Sequence, residues 1–323
     1  MSPRIAICIC TYQRYDTLPL AIESALAQSL DKSEYRIIVV DNSPDHAFAE
    51  EFGKAYHQPP FLDYRIERTP GLSNARNVGC RECGTEFIAF MDDDAIASPD
   101  WLKLLLAGYD QFGPETAAVG GKVDPIWEVP RPSWLADDML GFVSAVDWGG
   151  TTRVAAPGEW LAGTNVSFRA QMVLDAGGFD VKLGRVGDGS ALLSNEEIAV
   201  AAYLRDSGKL TLYVPEASVR HLVEKRRLTQ DWFRKRVVWQ AVSDYMADSA
   251  AMVKRAQDGW QWCMSYFFSL PPKDRTIRGL SVSLESPVLF RQQLDVLYLY
   301  TGLMLAGFPG MDQLEAGLTP KVG

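Results

Sequence analysis

The sequence predicts an α/β protein: a mostly parallel sheet flanked by helices on both faces, followed by a C-terminal helical appendage. Three observations support this prediction. Strand and helix patterns alternate through the first 120 residues, the strand patterns are almost continuously apolar, and from about residue 226 the composition shifts to Trp, Arg and Gln at helical spacing. Continuous apolar strands that alternate with helices are typical of parallel sheets buried on both faces.

The elements of the first 120 residues follow in a regular order. The predicted strands are RIAICIC from Arg4, YRIIVVD ending at Asp41, the short LDYRIE, and FIAFM before residue 92. The predicted helices are TLPLAIESALAQSL, a segment around residues 47–56, one from about Leu72, and one after Ser98-Pro99. The spacing of apolar residues distinguishes the two kinds of segment.

The remainder of the chain is less regular. Residues 120–189 are rich in Gly, Pro and Trp and contain one predicted strand, WLAGTNVSF, followed by a helix that ends at Gly177-Gly178. A helix is predicted over residues 195–207, with Gly208 as its stop, and LTLYVPEASVRH is predicted as a strand. We therefore expect one domain over residues 1–225 and a helical region over residues 226–323.

Composition and charge restrict the partners and the location. The 323 residues are 47% hydrophobic with a formal net charge of -9, so nucleic acid is not an expected partner. The five cysteines are expected to be buried, reduced thiols. The N-terminus enters a strand without a secretory leader, which predicts a cytoplasmic protein. The aromatic-rich stretch at residues 260–268 is expected to lie mostly in the core of the C-terminal region. A peripheral contact with the inner face of the membrane and a homodimer contact also remain open.

Three consecutive aspartates, Asp92, Asp93 and Asp94, directly follow the apolar strand FIAFM. In parallel sheets ligands bind beyond the carboxyl ends of the strands, where residues 11–14 and 41–43 are also expected. Oxygen ligands suit Mg²⁺ or Mn²⁺, with phosphate oxygens and water completing the coordination. The alternative is that the triplet caps the next helix, but Ser98 or Asp100 is better placed for that role. The sequence therefore predicts a divalent-cation site.

The phosphate-binding loops of two common nucleotide-binding folds do not occur. No Gly-x-x-x-x-Gly-Lys-Ser/Thr motif is found, and no Gly-x-Gly-x-x-Gly follows the first strand. The first strand runs into TYQR instead. Neither a P-loop nor a dinucleotide-binding fold is therefore supported.

Six motifs occur in order over about the first 235 residues: AICICTYQR, IIVVDNS, GLSNARNVG, FIAFMDDDA, WLAGTNVSFRA with GGFD, and SNEEIAVAAYLRDSG. Together they resemble the successive motifs of family 2 glycosyltransferases with the GT-A fold. The ordered set is far more specific than any one motif. The resemblance implies a metal-dependent inverting transferase whose first domain binds a nucleoside-diphosphate sugar. The sugar would pass to a hydroxyl of a glycan, lipid-linked or other acceptor, in polysaccharide or glycan biosynthesis.

The resemblance also implies a donor site assembled from several motifs. Thr11, Tyr12 and Arg14 match residues that hold the nucleoside and its phosphates. Asp41 matches an acidic residue that accepts a hydrogen bond from the base, although Tyr12 and Asp41 taken alone are equally typical of turns. Further donor-site candidates are Arg76 facing the nucleotide, Asp93 within the triplet, Gly163 and Asn165 at the sugar or acceptor, and Arg226 or Arg227 on the diphosphate.

The metal and the base follow from the same resemblance. Asp94 matches the metal ligand, Asp92 contacts ribose or the metal, and His221 is either a third ligand or a surface residue. Mn²⁺ or Mg²⁺ is the implied ion. Glu197 matches the catalytic base, where the family usually has Asp, and Glu196 is the alternative; either residue could also be an ordinary acid in the first turn of a helix.

Two other functions remain open. A metal-dependent phosphotransferase with an Asp nucleophile would carry its Asp-x-Asp after the first strand, whereas this triplet follows the fourth. A nucleotide- or polysaccharide-binding protein without turnover would not need the Glu196-Glu197 pair. Both are disfavoured relative to the transferase.

Overall fold

The computed structural model describes residues 2–187, 191–275 and 277–307. The chain forms two compact units. The first unit comprises Met1–Ile126, Val143–Ser190 and Glu196–Val223, and the second comprises Trp127–Phe142, Ala191–Asn195 and Glu224–Gly323. Residues 308–323 of the predicted C-terminal region lie outside the described part of the chain.

The strands and helices alternate through most of the first unit. The strands are β1 (Ile5–Thr11), β2 (Tyr35–Asp41), β3 (Leu62–Ile66), β4 (Phe87–Asp92), β5 (Ala95–Ala97), β6 (Thr116–Gly120), β7 (Val123–Trp127), β8 (Arg153–Val154), β9 (Val166–Arg169), β10 (Leu210–Tyr213) and β11 (Val219–Val223). The helices are α1 (Leu18–Leu26), α2 (His46–Lys54), α3 (Leu72–Glu82), α4 (Trp101–Phe112), α5 (Ala170–Asp175) and α6 (Glu196–Asp206).

Eight of the strands form one sheet in the order β3-β2-β1-β4-β9-β6-β10-β8. Strands β1 to β4 pair in parallel, as do β6 and β10, whereas β9 runs antiparallel to β4 and β6. The predicted mostly parallel sheet is therefore confirmed. The register aligns Thr11 with Asp41 and Cys10 with Asp92, so the carboxyl ends of β1, β2 and β4 lie side by side.

Helices cover both faces of this sheet because side chains alternate along each strand. Ile5, Ile7 and Ile9 of β1 point to the face covered by α1 and α4. Ala6 and Cys8 point to the opposite face, which is covered by α3, α5 and α6. All five side chains are fully buried, which explains the unbroken apolar pattern of the strand.

The segment LTLYVPEASVRH does not form the single strand that its pattern predicts. It divides into β10, in the large sheet, and β11, in a second sheet of order β5-β11-β7. Pro215 lies in the break and has no N–H to donate to a strand neighbour. The break matters for the site because it lets β11 pair with β5, the short strand that directly follows the three aspartates.

The second unit is helical. Its main helices are α7 (Gln230–Ala247), α8 (Ser249–Asp258), α9 (Trp260–Ser269) and α10 (Pro287–Leu305). Phe233 and Phe290 are buried where α7 packs on α10, with the Trp134 ring 5.3 and 5.1 Å from theirs. Within the part of the chain that the structure describes, none of the helices combines the length and apolar character needed to cross a membrane.

Candidate active site

Two carboxylates and one imidazole converge after β4. Asp92 ends β4, Asp94 precedes β5, and β5 pairs antiparallel with β11 so that Ala95 aligns with His221. The backbone N–H of Leu222 donates to the carbonyl of Asp94 at 3.0 Å, which fixes β11 against this turn. Three residues distant in sequence are thereby brought to one point.

The three side chains are close enough to share one ion. His221 Nε2 lies 3.1 Å from Asp94 Oδ1 and 3.9 Å from Asp92 Oδ2. One ligand atom from each residue lies within 4.8 Å of the other two. Asp94 and His221 are almost completely buried, whereas the Asp92 side chain is 34% exposed. The site is thus open on the side of Asp92.

Arg14 and Asp93 lie at the same edge of the sheet. The Arg14 guanidinium pairs with Asp94 Oδ2 at 2.9 Å, so Arg14 sits beside the carboxylate cluster as its motif predicts. The Asp93 side chain is buried, and this burial, followed by the charge of Asp94, raises its pKa well above the usual range of a carboxyl. Because Asp93 is buried, we expect its substitution to lower the stability of the protein.

Asp41 is wholly buried, and its carboxylate supports the loop after β1. Its Oδ2 accepts from the hydroxyls of Tyr64 at 2.7 Å and Tyr15 at 3.1 Å, and its Oδ1 accepts from the Ser43 N–H at 2.9 Å. Ser43 Oγ in turn accepts from the backbone N–H of Gln13, whose φ of 55° is left-handed. The predicted contact of Asp41 with the nucleotide base stays a prediction.

The neighbouring tyrosines were not anticipated as part of this site. Burial raises the pKa of Tyr15 to about 12, and the Asp41 charge adds to the effect. The signal that could have identified Tyr64 is its position in LDYRIE, because β3 pairs in register with β2 and aligns Tyr64 with Val39, near the Asp41 end of that strand. Thr11 is buried at the end of β1, and Tyr12 is partly exposed on the loop that follows.

A second cluster of carboxylates surrounds Arg76. Its Nη1 lies 2.6 Å from Glu196 Oε1 and 3.6 Å from Glu197 Oε2, and its Nη2 lies 3.7 Å from Asp92 Oδ1. Glu196 and Glu197 begin α6, which the sequence predicts as a helix start. The two predicted base candidates and a predicted metal ligand therefore meet at one guanidinium.

The electrostatics of this cluster follow from its burial. Burial disfavours the charged form of Arg76, but Glu196, Glu197 and Asp92 outweigh it and raise the Arg76 pKa above its ordinary value. Burial, followed by the charge of Glu197, raises the pKa of Glu196 to about 7, although Arg76 opposes the shift. Three carboxylates face one guanidinium, so a retained proton relieves their repulsion.

Gly163 and Asn165 have different surroundings, although one motif predicts both. A Cβ at Gly163 would overlap the Arg76 guanidinium, and the Gly163 N–H donates to Glu197 Oε1 at 3.0 Å. Asn165 is fully buried; it accepts from Trp101 Nε1 and donates to the carbonyls of Lys122 and Ala217. These are the contacts of a structural residue, and we propose no sugar or acceptor contact for Asn165.

Arg226 and Arg227 belong to the second unit. They lie in a 3-10 turn, Lys225–Arg227, where Arg226 pairs with Glu224 at 2.8 Å and Arg227 is buried. Their predicted contact with a diphosphate stays a prediction.

Comparison with known proteins agrees with the resemblance to family 2 glycosyltransferases and with the fold. The family model described as glycosyl transferase family 2 matches residues 6–153, which include β2 to β7, all of β1 except Ile5, and the three aspartates. This match, together with the curated relatives below, supports a family 2 glycosyltransferase. The large, mostly parallel sheet flanked by helices is that of the GT-A glycosyltransferases.

Two curated relatives resemble this glycosyltransferase over much of their length. It is 28% identical to the glucosyl-dolichyl phosphate glucuronosyltransferase of Haloferax volcanii, over 94% of this chain and 95% of that one. It is 27% identical to the succinoglycan biosynthesis protein ExoM of Rhizobium meliloti, over 72% of this chain and 71% of that one.

A solved structure shares the fold at low sequence identity. The mannosyltransferase PcManGT from Pyrobaculum calidifontis, in complex with GDP-Man and Mn²⁺, superposes with a TM-score of 0.56 at 18% identity. The match covers 98% of this chain and 80% of that one. The chain is therefore a glycosyltransferase with a GT-A fold, and Asp92, Asp94 and His221 could hold a metal ion.

Proposed function

We propose that this glycosyltransferase transfers a sugar from a nucleoside-diphosphate sugar to an acceptor hydroxyl, with inversion at the anomeric carbon and a divalent cation as cofactor. The observation that supports this most strongly is the position of Arg76. One guanidinium contacts both the metal-ligand candidate Asp92 and the base candidate Glu197. An inverting displacement needs both a site for the leaving group and a proton acceptor for the attacking hydroxyl, and this arrangement brings candidates for the two into one cluster.

The donor atoms after β4 fit a divalent cation. Two carboxylates and one imidazole are suitable ligands for Mn²⁺ or Mg²⁺, and Asp92 leaves one side accessible for water or phosphate oxygens. A bound cation would supply Lewis-acid stabilisation of the negative charge that develops on the departing nucleoside diphosphate. Arg14, at 2.9 Å from Asp94, adds a positive charge on the same side.

Glu197 is the better candidate for the base. Its side chain is 14% exposed, whereas that of Glu196 is 4% exposed and is held by Arg76 at 2.6 Å. A base must reach the proton of an incoming hydroxyl, which a fully enclosed carboxylate cannot do. The N–H of Gly163 donates to Glu197 Oε1, and Oε2, which lies 3.6 Å from Arg76 Nη1, would accept the proton.

The residues that bind the donor and the class of acceptor are proposed from the positions of the motifs and from the similar proteins. We assign the nucleoside to Thr11 and Tyr12 at the end of β1, and the phosphates to Arg14 and the cation. PcManGT was solved with GDP-Man, and one relative is named for a glucosyl-dolichyl phosphate substrate, which supports a nucleotide-sugar donor and a glycan or lipid-linked acceptor.

The second unit carries a surface suited to an anionic membrane, on which a lipid-linked acceptor would reside. Trp262 and Phe268 of α9 are 40% and 63% exposed, and the Arg275 guanidinium lies 5.8 Å from the centre of the Phe268 ring. Aromatic rings beside basic groups favour the lipid headgroup region. We propose that this α9 surface (Trp262, Phe268 and Arg275) makes a peripheral membrane contact.

The proposal is tested with a panel of UDP-, GDP-, dTDP- and CDP-sugars, each with Mn²⁺, with Mg²⁺ and with EDTA. We expect release of nucleoside diphosphate from one donor class, with metal only. Asp94→Ala should abolish that release, and Asp100→Asn should retain it, because Asp100 lies at the N-terminus of α4, outside the cluster. Nucleotide binding that raises the melting temperature without any release would favour a binding protein, and a phosphoaspartyl intermediate would favour a phosphotransferase.

A further inference from the structure

Arg76 is enclosed to an unusual degree for a residue expected to face a nucleotide. Its side chain is 4% exposed, and its guanidinium carbon lies 5.7 and 5.9 Å from the ring centres of Phe90 and Phe179. Gly163 packs against the same guanidinium so closely that a Cβ would overlap it. Little of its surface remains for a diphosphate.

The guanidinium nitrogens are directed at protein carboxylates. Nη1 lies 2.6 Å from the Glu196 carboxylate and 3.6 Å from that of Glu197. Nη2 lies 3.7 Å from the Asp92 carboxylate. The planar guanidinium of an arginine holds two carboxylates in fixed directions, whereas the ammonium of a lysine is a compact charge whose three donors rotate. Arg76 thereby connects the start of α6 to the end of β4, which are 104 positions apart between Asp92 and Glu196.

We infer that Arg76 is a positioning residue, which sets Glu197 relative to the metal-ligand candidate Asp92 and does not bind the donor phosphates. This inference rests on the proposed function. Glu196 is the fixed anchor of the arrangement: it is buried, it makes the short contact, and it is adjacent in sequence to Glu197.

The two roles of Arg76 predict different kinetic outcomes. A positioning residue acts on the geometry of the reacting groups, and a misplacement of about 1 Å can lower the rate on the order of 100-fold. A phosphate ligand acts on donor affinity, and the loss of one charged hydrogen bond weakens binding by roughly 10- to 150-fold. The separation of kcat from donor affinity therefore distinguishes them.

The experiment compares Arg76→Lys and Arg76→Gln with Arg81→Gln, an exposed arginine on the same helix. Donor kcat and KM are measured by diphosphate release, and the Kd of the cognate nucleoside diphosphate is measured calorimetrically with Mn²⁺. We expect kcat to fall on the order of 100-fold in Arg76→Gln and less in Arg76→Lys. The nucleotide Kd should stay within about threefold of that of the unmodified protein, because in this inference Arg76 does not contact the nucleotide.

A second variant keeps the inference testable if Arg76→Gln does not fold. Gly163→Ala displaces the guanidinium without removing its charge, and it should lower kcat while leaving the nucleotide Kd unchanged. A nucleotide Kd weakened tenfold or more in Arg76→Lys or Gly163→Ala, with kcat retained, would overturn the inference. Absence of diphosphate release by the unmodified protein would instead refute the proposed function, and this inference with it.

Discussion

The substitution Glu196→Gln tests the electrostatics of the buried cluster through the pH dependence of folding stability. Glu196 is buried against Arg76, and its pKa is raised from 4.5 to about 7, first by burial and then by Glu197. In the unfolded chain the group returns to its ordinary value. The folded state therefore binds more protons than the unfolded state between these two pH values.

The sign and size of the effect follow from this difference. A carboxyl with a raised pKa contributes stability that is fully present below about pH 4.5 and is lost as pH rises through about 7. The interval of about 2.5 pH units corresponds to about 3 kcal/mol at 1.36 kcal/mol for each unit. Gln carries no titrating proton, so the variant should lack this part of the pH dependence.

Urea unfolding at several values between pH 4.5 and 8 measures the effect, with equal m-values required in both proteins. The free energy of unfolding of the unmodified protein should fall relative to that of Glu196→Gln by about 3 kcal/mol across this range. Glu216→Gln, at an exposed position, should follow the unmodified protein. Parallel curves for the unmodified protein and Glu196→Gln would refute a raised pKa at this site.

Two further predictions concern a structural residue and a surface. Asn165→Ala removes three buried hydrogen bonds and should lower the free energy of unfolding by about 3 kcal/mol. Nucleotide binding should not weaken. A stable variant with weak donor affinity would instead support the predicted sugar contact of Asn165. Trp262→Ser with Phe268→Ser should reduce cosedimentation with phosphatidylglycerol vesicles severalfold, whereas Val288→Ser, at another exposed apolar residue of the second unit, should not. Equal cosedimentation of the unmodified protein and the Trp262→Ser, Phe268→Ser variant would remove the α9 surface from the proposal.

Local patterns predict much of this fold. The continuous apolar strands and the amphipathic helices of the first 120 residues predict the parallel strands β1 to β4, and the register confirms it. Strand ends also predict that Arg14, Asp92 and Asp94 lie at one edge, because parallel strands end at the same side of a sheet. His221 joins them through the pairing of β11 with β5, which no short-range pattern encodes.

The partners of buried polar groups are harder to predict from sequence. Arg76 and Glu196 are 120 positions apart, and the motif containing Arg76 carries no sign that its guanidinium is enclosed. Asp41 is likewise engaged by Tyr64, which approaches from a neighbouring strand. Such contacts depend on strand order and on which face each side chain takes, so the residue types are predictable while their partners are not.

The most direct test of the central claim is the stereochemical course of transfer, followed by proton NMR on the unmodified protein and on Glu197→Gln. The account predicts that the transferred sugar has the anomeric configuration opposite to that in the donor. It also predicts that Glu197→Gln binds the nucleotide with unchanged affinity but forms no transfer product, while Glu216→Gln forms it at the normal rate. Retained configuration, or normal transfer by Glu197→Gln, would contradict an inverting reaction with Glu197 as its base.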